Sequence, residues 1–314
     1  MIFNEKYLRQ FVPGNFFLEN NIAEKYFQKP KYEFTFRGYP GSLTHGNLIL
    51  QDPEKIILFS HGYGMALQRV IKYIIPFLES GWSILITDWG ENYSRKRKIA
   101  SYGYFEKYDV FKLKNLAVNF ISSHENDIKQ ALDINKDQKN TKINLNLYEE
   151  YEGTKKKIFF GLFGESMGSV IFAESLPFLQ NNGGIDFCIM DSPFSDLKKF
   201  IAMEINRYLK IKAINSVVFE FVKYLIKIIG KFNPDDVSPV KSLMKTSIPI
   251  LLFHGMKDNL IPYEMSVEIY EKRKNNYPTF IRLFENAGHA GCIDDDEGMY
   301  WDCVFQFINM QRKI

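Results

Sequence analysis

Two runs constrain this chain more than any other feature: Ile56-Ile57-Leu58-Phe59 and Ile250-Leu251-Leu252-Phe253. A strand with apolar side chains on both faces must be covered on both, which calls for helices packed above and below a parallel sheet. Short apolar segments at 32–36, 46–50, 55–60, 82–87, 157–163, 186–190, 248–253 and 279–284 read as strands. Helical patterns lie between or after them at 67–78, 110–121, 167–180, 263–274 and 297–308. That alternation predicts an α/β fold with a doubly wound, mostly parallel sheet of about eight strands. The first two strands leave no room for a helix between them, so an antiparallel hairpin is expected at one edge.

Two segments break the alternation. Residues 133–157 are rich in Asn, Lys and Asp with little apolar periodicity, and read as a polar surface insertion. Residues 196–232 are too long for one crossover helix. Phe200, Ile201, Ile205 and Leu209, then Phe219, Val222, Leu225, Ile226 and Ile229, recur at helical spacing and predict a helical cap. The whole of 1–314 is expected to be a single domain carrying these two insertions.

Composition excludes several classes. Hydrophobic residues are 46% and charged residues 25%, which is globular rather than disordered. A net charge of +3 gives no field that argues for nucleic acid. Three cysteines, Cys188, Cys292 and Cys303, do not make a disulfide framework and point to a reducing compartment. No leader pattern follows Met1, and the longest apolar stretch, 217–229, contains Glu220, Lys223 and Lys227 and falls short of the roughly 20 residues that span a bilayer. The expectation is a soluble, cytoplasmic protein.

The chemistry concentrates in Gly164-Glu165-Ser166-Met167-Gly168, directly after one expected strand and before a helix. In that context Gly-x-Ser-x-Gly makes a sharp turn that lifts the serine hydroxyl above the sheet and leaves the next N–H, that of Met167, open at the helix start. The bland reading is a tight glycine-rich turn with a bystander serine. A nucleophilic serine needs a base, and there are five histidines. His45 and His124 lie in polar surroundings and read as solvated, while His61 and His254 end buried strands and read as structural. His289, in Asn286-Ala287-Gly288-His289-Ala290-Gly291 just past the last expected strand, is the candidate base. Asp258, soon after the strand at 248–253, is the candidate orienting carboxylate. The order Ser, Asp, His is that of the α/β-hydrolase arrangement. Asp191 is the rival carboxylate, read instead as a cap ahead of Ser192-Pro193. Asp294-Asp295-Asp296 reads as the acidic first turn of the last helix rather than a metal site. The glycine-rich His61-Gly62-Tyr63-Gly64 loop supplies a second oxyanion donor, the Tyr63 N–H, to act with the Met167 N–H.

With these motifs in place the sequence resembles the α/β-hydrolase superfamily, and within it the bacterial serine aminopeptidase-like and monoglyceride-lipase-like esterases with a helical cap. The resemblance runs from about Tyr32 to Phe307 and is carried by His61-Gly62-Tyr63-Gly64, Gly164-Glu165-Ser166-Met167-Gly168, Asp191-Ser192-Pro193, His254-Gly255 with Asp258 and Ile261-Pro262, and Ala287-Gly288-His289-Ala290. One departure is Asp88-Trp89-Gly90-Glu91-Asn92-Tyr93-Ser94, which lacks the Arg-Gly-His usual after that strand. The resemblance implies the α/β-hydrolase fold, an oxyanion loop at Tyr63, nucleophile Ser166, acid Asp258 and base His289. The expected function is hydrolysis of carboxylic esters through an acyl-enzyme, with no cofactor and no metal, on a small-molecule ester with an apolar acyl group. A serine peptidase, a thioesterase and a non-catalytic ligand-binding member are the alternatives. Eight Lys or Arg lie in 198–231 against Glu204 and Glu220. They read as a solvated outer face, the alternative being weak contact of a basic cap with an anionic membrane.

Overall fold

The computed structural model describes residues 31–39, 43–63, 67–88, 100–124, 126, 128, 141–144, 158–182, 184–209 and 212–312. The unusual loop at 89–94 and most of the polar insertion at 133–157 lie outside them. Among the described residues nine strands form one sheet: β1 (Lys31–Arg37), β2 (Leu43–Ile49), β3 (Lys55–Ser60), β4 (Ser83–Asp88), β5 (Thr141–Asn144), β6 (Phe159–Glu165), β7 (Phe187–Asp191), β8 (Ile250–Gly255) and β9 (Thr279–Phe284). Their order is β5-β1-β2-β4-β3-β6-β7-β8-β9. The β1–β2 and β2–β4 pairs are antiparallel, and the rest are parallel.

The eight expected strands are all present. The ninth, β5, lies inside the segment read as a surface insertion. It pairs in parallel with β1 and takes the edge position expected for the hairpin. Its sequence does carry a strand signal, because Thr141 and Ile143 alternate with Lys142 and Asn144 and Leu145 and Leu147 continue the period of two, but the Asn and Lys content of the segment outweighs it in the surface reading.

The doubly apolar runs divide as their alternation requires. Ile56 and Leu58 enter one core cluster while Ile57 and Phe59 enter the other, and Ile250, Leu252, Leu251 and Phe253 split in the same way. The first cluster is covered by α2 (Glu106–Ser123) and α3 (Met167–Asn181), the second by α1 (Leu67–Glu79) and the last long helix, Glu297–Gln311.

Between β7 and β8 the chain forms α4 (Leu197–Tyr208), α5 (Lys212–Leu225), a π-helical turn (Ile226–Gly230), a 3-10 turn (Pro234–Asp236) and α6 (Pro239–Leu243). Asp196 starts α4 by accepting the Lys198 and Lys199 N–H groups at 3.0 and 3.3 Å. Leu197, Phe232 and Val237 pack with Val170, Phe194 and Phe105 in a third apolar cluster, which Phe200, Ile201 and Ile226 join. Leu225 and Ile229, two of the apolar residues at helical spacing, are exposed together with Ile214, Val217, Phe221, Tyr224 and Ile228. Two more helices, α7 (Glu264–Arg273) and α8 (Cys292–Asp295), precede α9 (Glu297–Gln311). Among the described residues no helix is long and apolar enough to cross a membrane.

Candidate active site

β6 ends at Glu165 and α3 begins at Met167, so Ser166 alone makes the turn. Its φ of 50° and ψ of −116° put a residue with a Cβ in strained left-handed territory. The turn is held by the Ser166 N–H, which donates to the Asp191 carbonyl at 2.8 Å. Its closeness to β3 dictates Gly168, where a Cβ would lie 2.1 Å from the Ser60 carbonyl oxygen. Met167 is the first residue of α3, and amides at that position have no partner within the helix.

The structure brings Ser166, His289 and Asp258 together from positions far apart in the chain. His289 Nε2 lies 2.9 Å from Ser166 Oγ, and His289 Nδ1 lies 2.7 Å from Asp258 Oδ2. A carboxylate only accepts, so Nδ1 carries the proton and Nε2 is free to accept from the hydroxyl. Burial works against the Asp258 charge, but hydrogen bonds from His254 and His289 and from the Ile261 N–H hold its carboxyl well below the usual range. Burial likewise disfavours imidazolium at His289, yet the Asp258 hydrogen bond and charge, with Glu165 and Asp191 beyond, raise its pKa above the ordinary histidine value. Those are the settings of a base whose protonated form is stabilised by its neighbour.

His254 belongs to this arrangement. Its Nε2–H points at both Asp258 Oδ2 (3.1 Å) and the Ile261 carbonyl (2.9 Å), and its Nδ1 pairs with Ser266 Oγ at 2.6 Å. It is fully buried and locks the carboxylate that orients His289. Its position at the end of a buried strand explains the structural reading; its grip on Asp258 had only the four-residue separation as a signal.

Asp191 is not bonded to His289. It accepts from Tyr300 and Tyr73 hydroxyls at 2.9 and 3.3 Å and from Ser192 Oγ at 2.9 Å. Ser192 Oγ in turn accepts the Ala290 N–H at 3.3 Å, so this buried network anchors the loop that presents His289. Burial raises the Asp191 pKa. Nothing local in the sequence marks Tyr73 and Tyr300, whose helical spacing reads as ordinary core.

The remaining histidines do not converge on the serine. His45 meets Thr35 and Glu33 on the β1–β2 pair, and His124 bonds within the end of α2. His61 Nδ1–H donates to the Gly62 carbonyl at 2.8 Å. Tyr63 is 69% exposed next to it, and Gly62 is tied to Glu165, so the loop carrying the Tyr63 amide is bonded to the residue before Ser166. Asp294 pairs with Lys72 at 2.8 Å, Asp295 accepts the Asn286 N–H at 3.2 Å, and Asp296 caps α9 through the Met299 N–H at 2.9 Å. Among the described residues no group of three or more His, Cys, Asp or Glu is placed to hold a metal ion.

No known family profile matches the chain. It is 24% identical over 294 residues to YqkD of Bacillus subtilis, an uncharacterized protein, covering 92% of this chain and 83% of that one. The esterase Pf2001 of Pyrococcus furiosus superposes with a TM-score of 0.62 at 17% identity, covering 90% of this chain and 93% of the esterase. An acylaminoacyl peptidase of Pyrococcus horikoshii gives 0.62 at 15% identity, over 95% of this chain but 43% of the peptidase. The chain has the α/β-hydrolase fold.

Proposed function

We propose that this protein is a serine hydrolase of carboxylic esters. The observation that carries the reading is the unbroken relay from Ser166 Oγ to His289 Nε2 at 2.9 Å and from His289 Nδ1 to Asp258 Oδ2 at 2.7 Å. Ser166 Oγ attacks the acyl carbonyl carbon as its proton passes to His289 Nε2. The carbonyl oxygen becomes an oxyanion facing the Tyr63 and Met167 amides, where each donor is worth a few kcal/mol in transition-state stabilisation. His289 then protonates the departing alkoxide, leaving an acyl-Ser166 ester. Water attacks that ester as His289 again takes a proton, and the acid leaves with Ser166 restored. Asp258 keeps its charge throughout and stabilises the imidazolium.

Esters are favoured over amides because the chain spans nearly the whole of esterase Pf2001 but less than half of the acylaminoacyl peptidase. Thioester cleavage uses the same steps. The Val170–Phe194–Phe105 cluster begins one turn past Ser166, which supports a small-molecule substrate with an apolar acyl group. The three unpaired cysteines support a reducing, cytoplasmic setting. A second surface accompanies the site: the outward apolar stripe of α5, flanked by Lys227 and Lys231, fits weak contact with an anionic membrane.

The deciding experiment pairs a p-nitrophenyl ester assay across acyl lengths with fluorophosphonate labelling. Wild type should turn over and be labelled, and Ser166→Ala should lose the label and several orders of magnitude in kcat. Turnover by Ser166→Ala equal to wild type would remove the mechanism. A folded wild type that neither hydrolyses nor labels would favour the non-catalytic reading.

A further inference from the structure

Glu165 fills the variable position just before the nucleophile, where the turn itself asks for no carboxylate. It is 3% exposed, and its Oε2 accepts the Gly62 N–H at 2.7 Å. The contact follows from the sheet: β3 and β6 are parallel neighbours with Ser60 opposite Gly164, so the chain leaving β3 at 61–63 runs beside Glu165 at the end of β6. The fit is close. A Cβ on Gly62 would lie 2.3 Å from Glu165 Oε2 and 3.0 Å from Ser166 Cβ.

The other side of Gly62 is also held, because its carbonyl accepts the His61 Nδ1–H at 2.8 Å. The peptide before Gly62 is therefore pinned through its N–H and the peptide after it through its C=O. A trans peptide is planar with N–H opposite C=O. The His61 bond thus sets the direction of the Tyr63 N–H, and the Glu165 bond sets where that peptide starts relative to Ser166.

We propose that Glu165 is a positioning residue for the oxyanion, acting through the Gly62 N–H to hold the Tyr63 amide in place beside Ser166. This rests on the hydrolase reading above. Asp191 faces Glu165 from β7, Lys72 and Tyr73 from α1, and His289 from its loop. Burial and then the Asp191 charge push the Glu165 carboxyl up to about 7. Both protonation states keep an oxygen that can accept the Gly62 N–H, so an uncharged amide should serve as well.

The test compares Glu165→Ala and Glu165→Gln on a p-nitrophenyl ester, with urea unfolding to establish that each is folded. An amide that touches only the developing oxyanion affects kcat and leaves ground-state binding alone. Glu165→Ala should lower kcat about 10- to 100-fold with KM held within about twofold. Glu165→Gln should keep kcat within about threefold of wild type. A purely structural role would not produce this split or this rescue. Should Glu165→Ala fail to fold, Glu165→Leu, which fills the space but offers the Gly62 N–H no acceptor, should show the same loss in kcat at constant KM. Wild-type kcat in the folded Ala variant overturns the proposal, as does a Gln variant as impaired as Ala, or a loss confined to KM. A wild type without hydrolysis or fluorophosphonate labelling fails earlier, taking the hydrolase reading and this proposal together, so the two failures are distinct.

Discussion

Replacing Asp258 by Asn changes one atom and should nearly silence the site. Four donors converge on this carboxylate. Oδ1 accepts the Leu260 and Ile261 N–H groups, both at 2.8 Å, and Oδ2 accepts from His289 and His254. An asparagine has one oxygen and one NH2. If its oxygen stays with the two backbone amides, the NH2 faces Nδ1 of His289 and forces the other tautomer. Nε2 then carries hydrogen toward Ser166 and cannot accept the serine proton. If the amide flips, the Leu260 and Ile261 N–H groups lose their acceptor, and the buried one, at Ile261, costs about 1–3 kcal/mol. A base locked in the wrong tautomer costs about 10⁴ in kcat, or roughly 5 kcal/mol of activation free energy. The assay is kcat on a p-nitrophenyl ester from pH 5 to 9, with urea unfolding as the fold control. In wild type the imidazole must be neutral to accept a proton, so activity falls as pH drops through the His289 pKa, above the ordinary 6.5. Removing the Asp258 charge should move any residual acid limb to lower pH. Asp191→Asn should cost kcat far less, because Asp191 does not touch His289. An Asp258→Asn variant within tenfold of wild type would refute the reasoning, as would an equal loss from Asp191→Asn.

Glu174 on α3 is buried, accepts the Ser242 hydroxyl at 2.8 Å, and titrates at about 7 rather than 4.5, burial being the main cause. A raised carboxyl makes the folded state most stable below 4.5, and that stability is lost as pH rises to 7. Each pH unit is worth about 1.4 kcal/mol, so Glu174→Gln should be near wild type at pH 4.5 and about 3 kcal/mol more stable at pH 8 by urea unfolding; a pH-independent difference would contradict this. The outward stripe of α5 and the π-helical turn after it should carry the protein down with anionic vesicles at low salt, less so at high salt, and Phe221→Ser with Ile228→Ser should weaken it; no sedimentation at low salt removes the membrane contact.

The strand order of chemistry was readable because each signal is local. Ile250-Leu251-Leu252-Phe253 shows its two buried faces in four consecutive residues, and Gly164-Glu165-Ser166-Met167-Gly168 shows its turn in five. β5 was legible in the alternation of Thr141, Ile143, Leu145 and Leu147 with Lys142, Asn144 and Asn146, but the polar composition around it hid the signal, and only the fold shows that it pairs with β1. The outward turn of Leu225 and Ile229 was also hidden, because helical periodicity identifies an apolar stripe without saying what lies against it.

What the amino-acid order determined by itself is where the serine, the histidine and the two candidate acids sit relative to strand ends. Turn geometry and apolar periodicity act over a few residues and leave their mark in the text of the chain. Only the folded chain decided which acid serves His289, that Tyr300, 109 residues from Asp191, holds the other one, and that Glu165 reaches Gly62 across 103 residues. Those choices turn on tenths of an ångström set by strand register and helix packing, and no short window of sequence contains them.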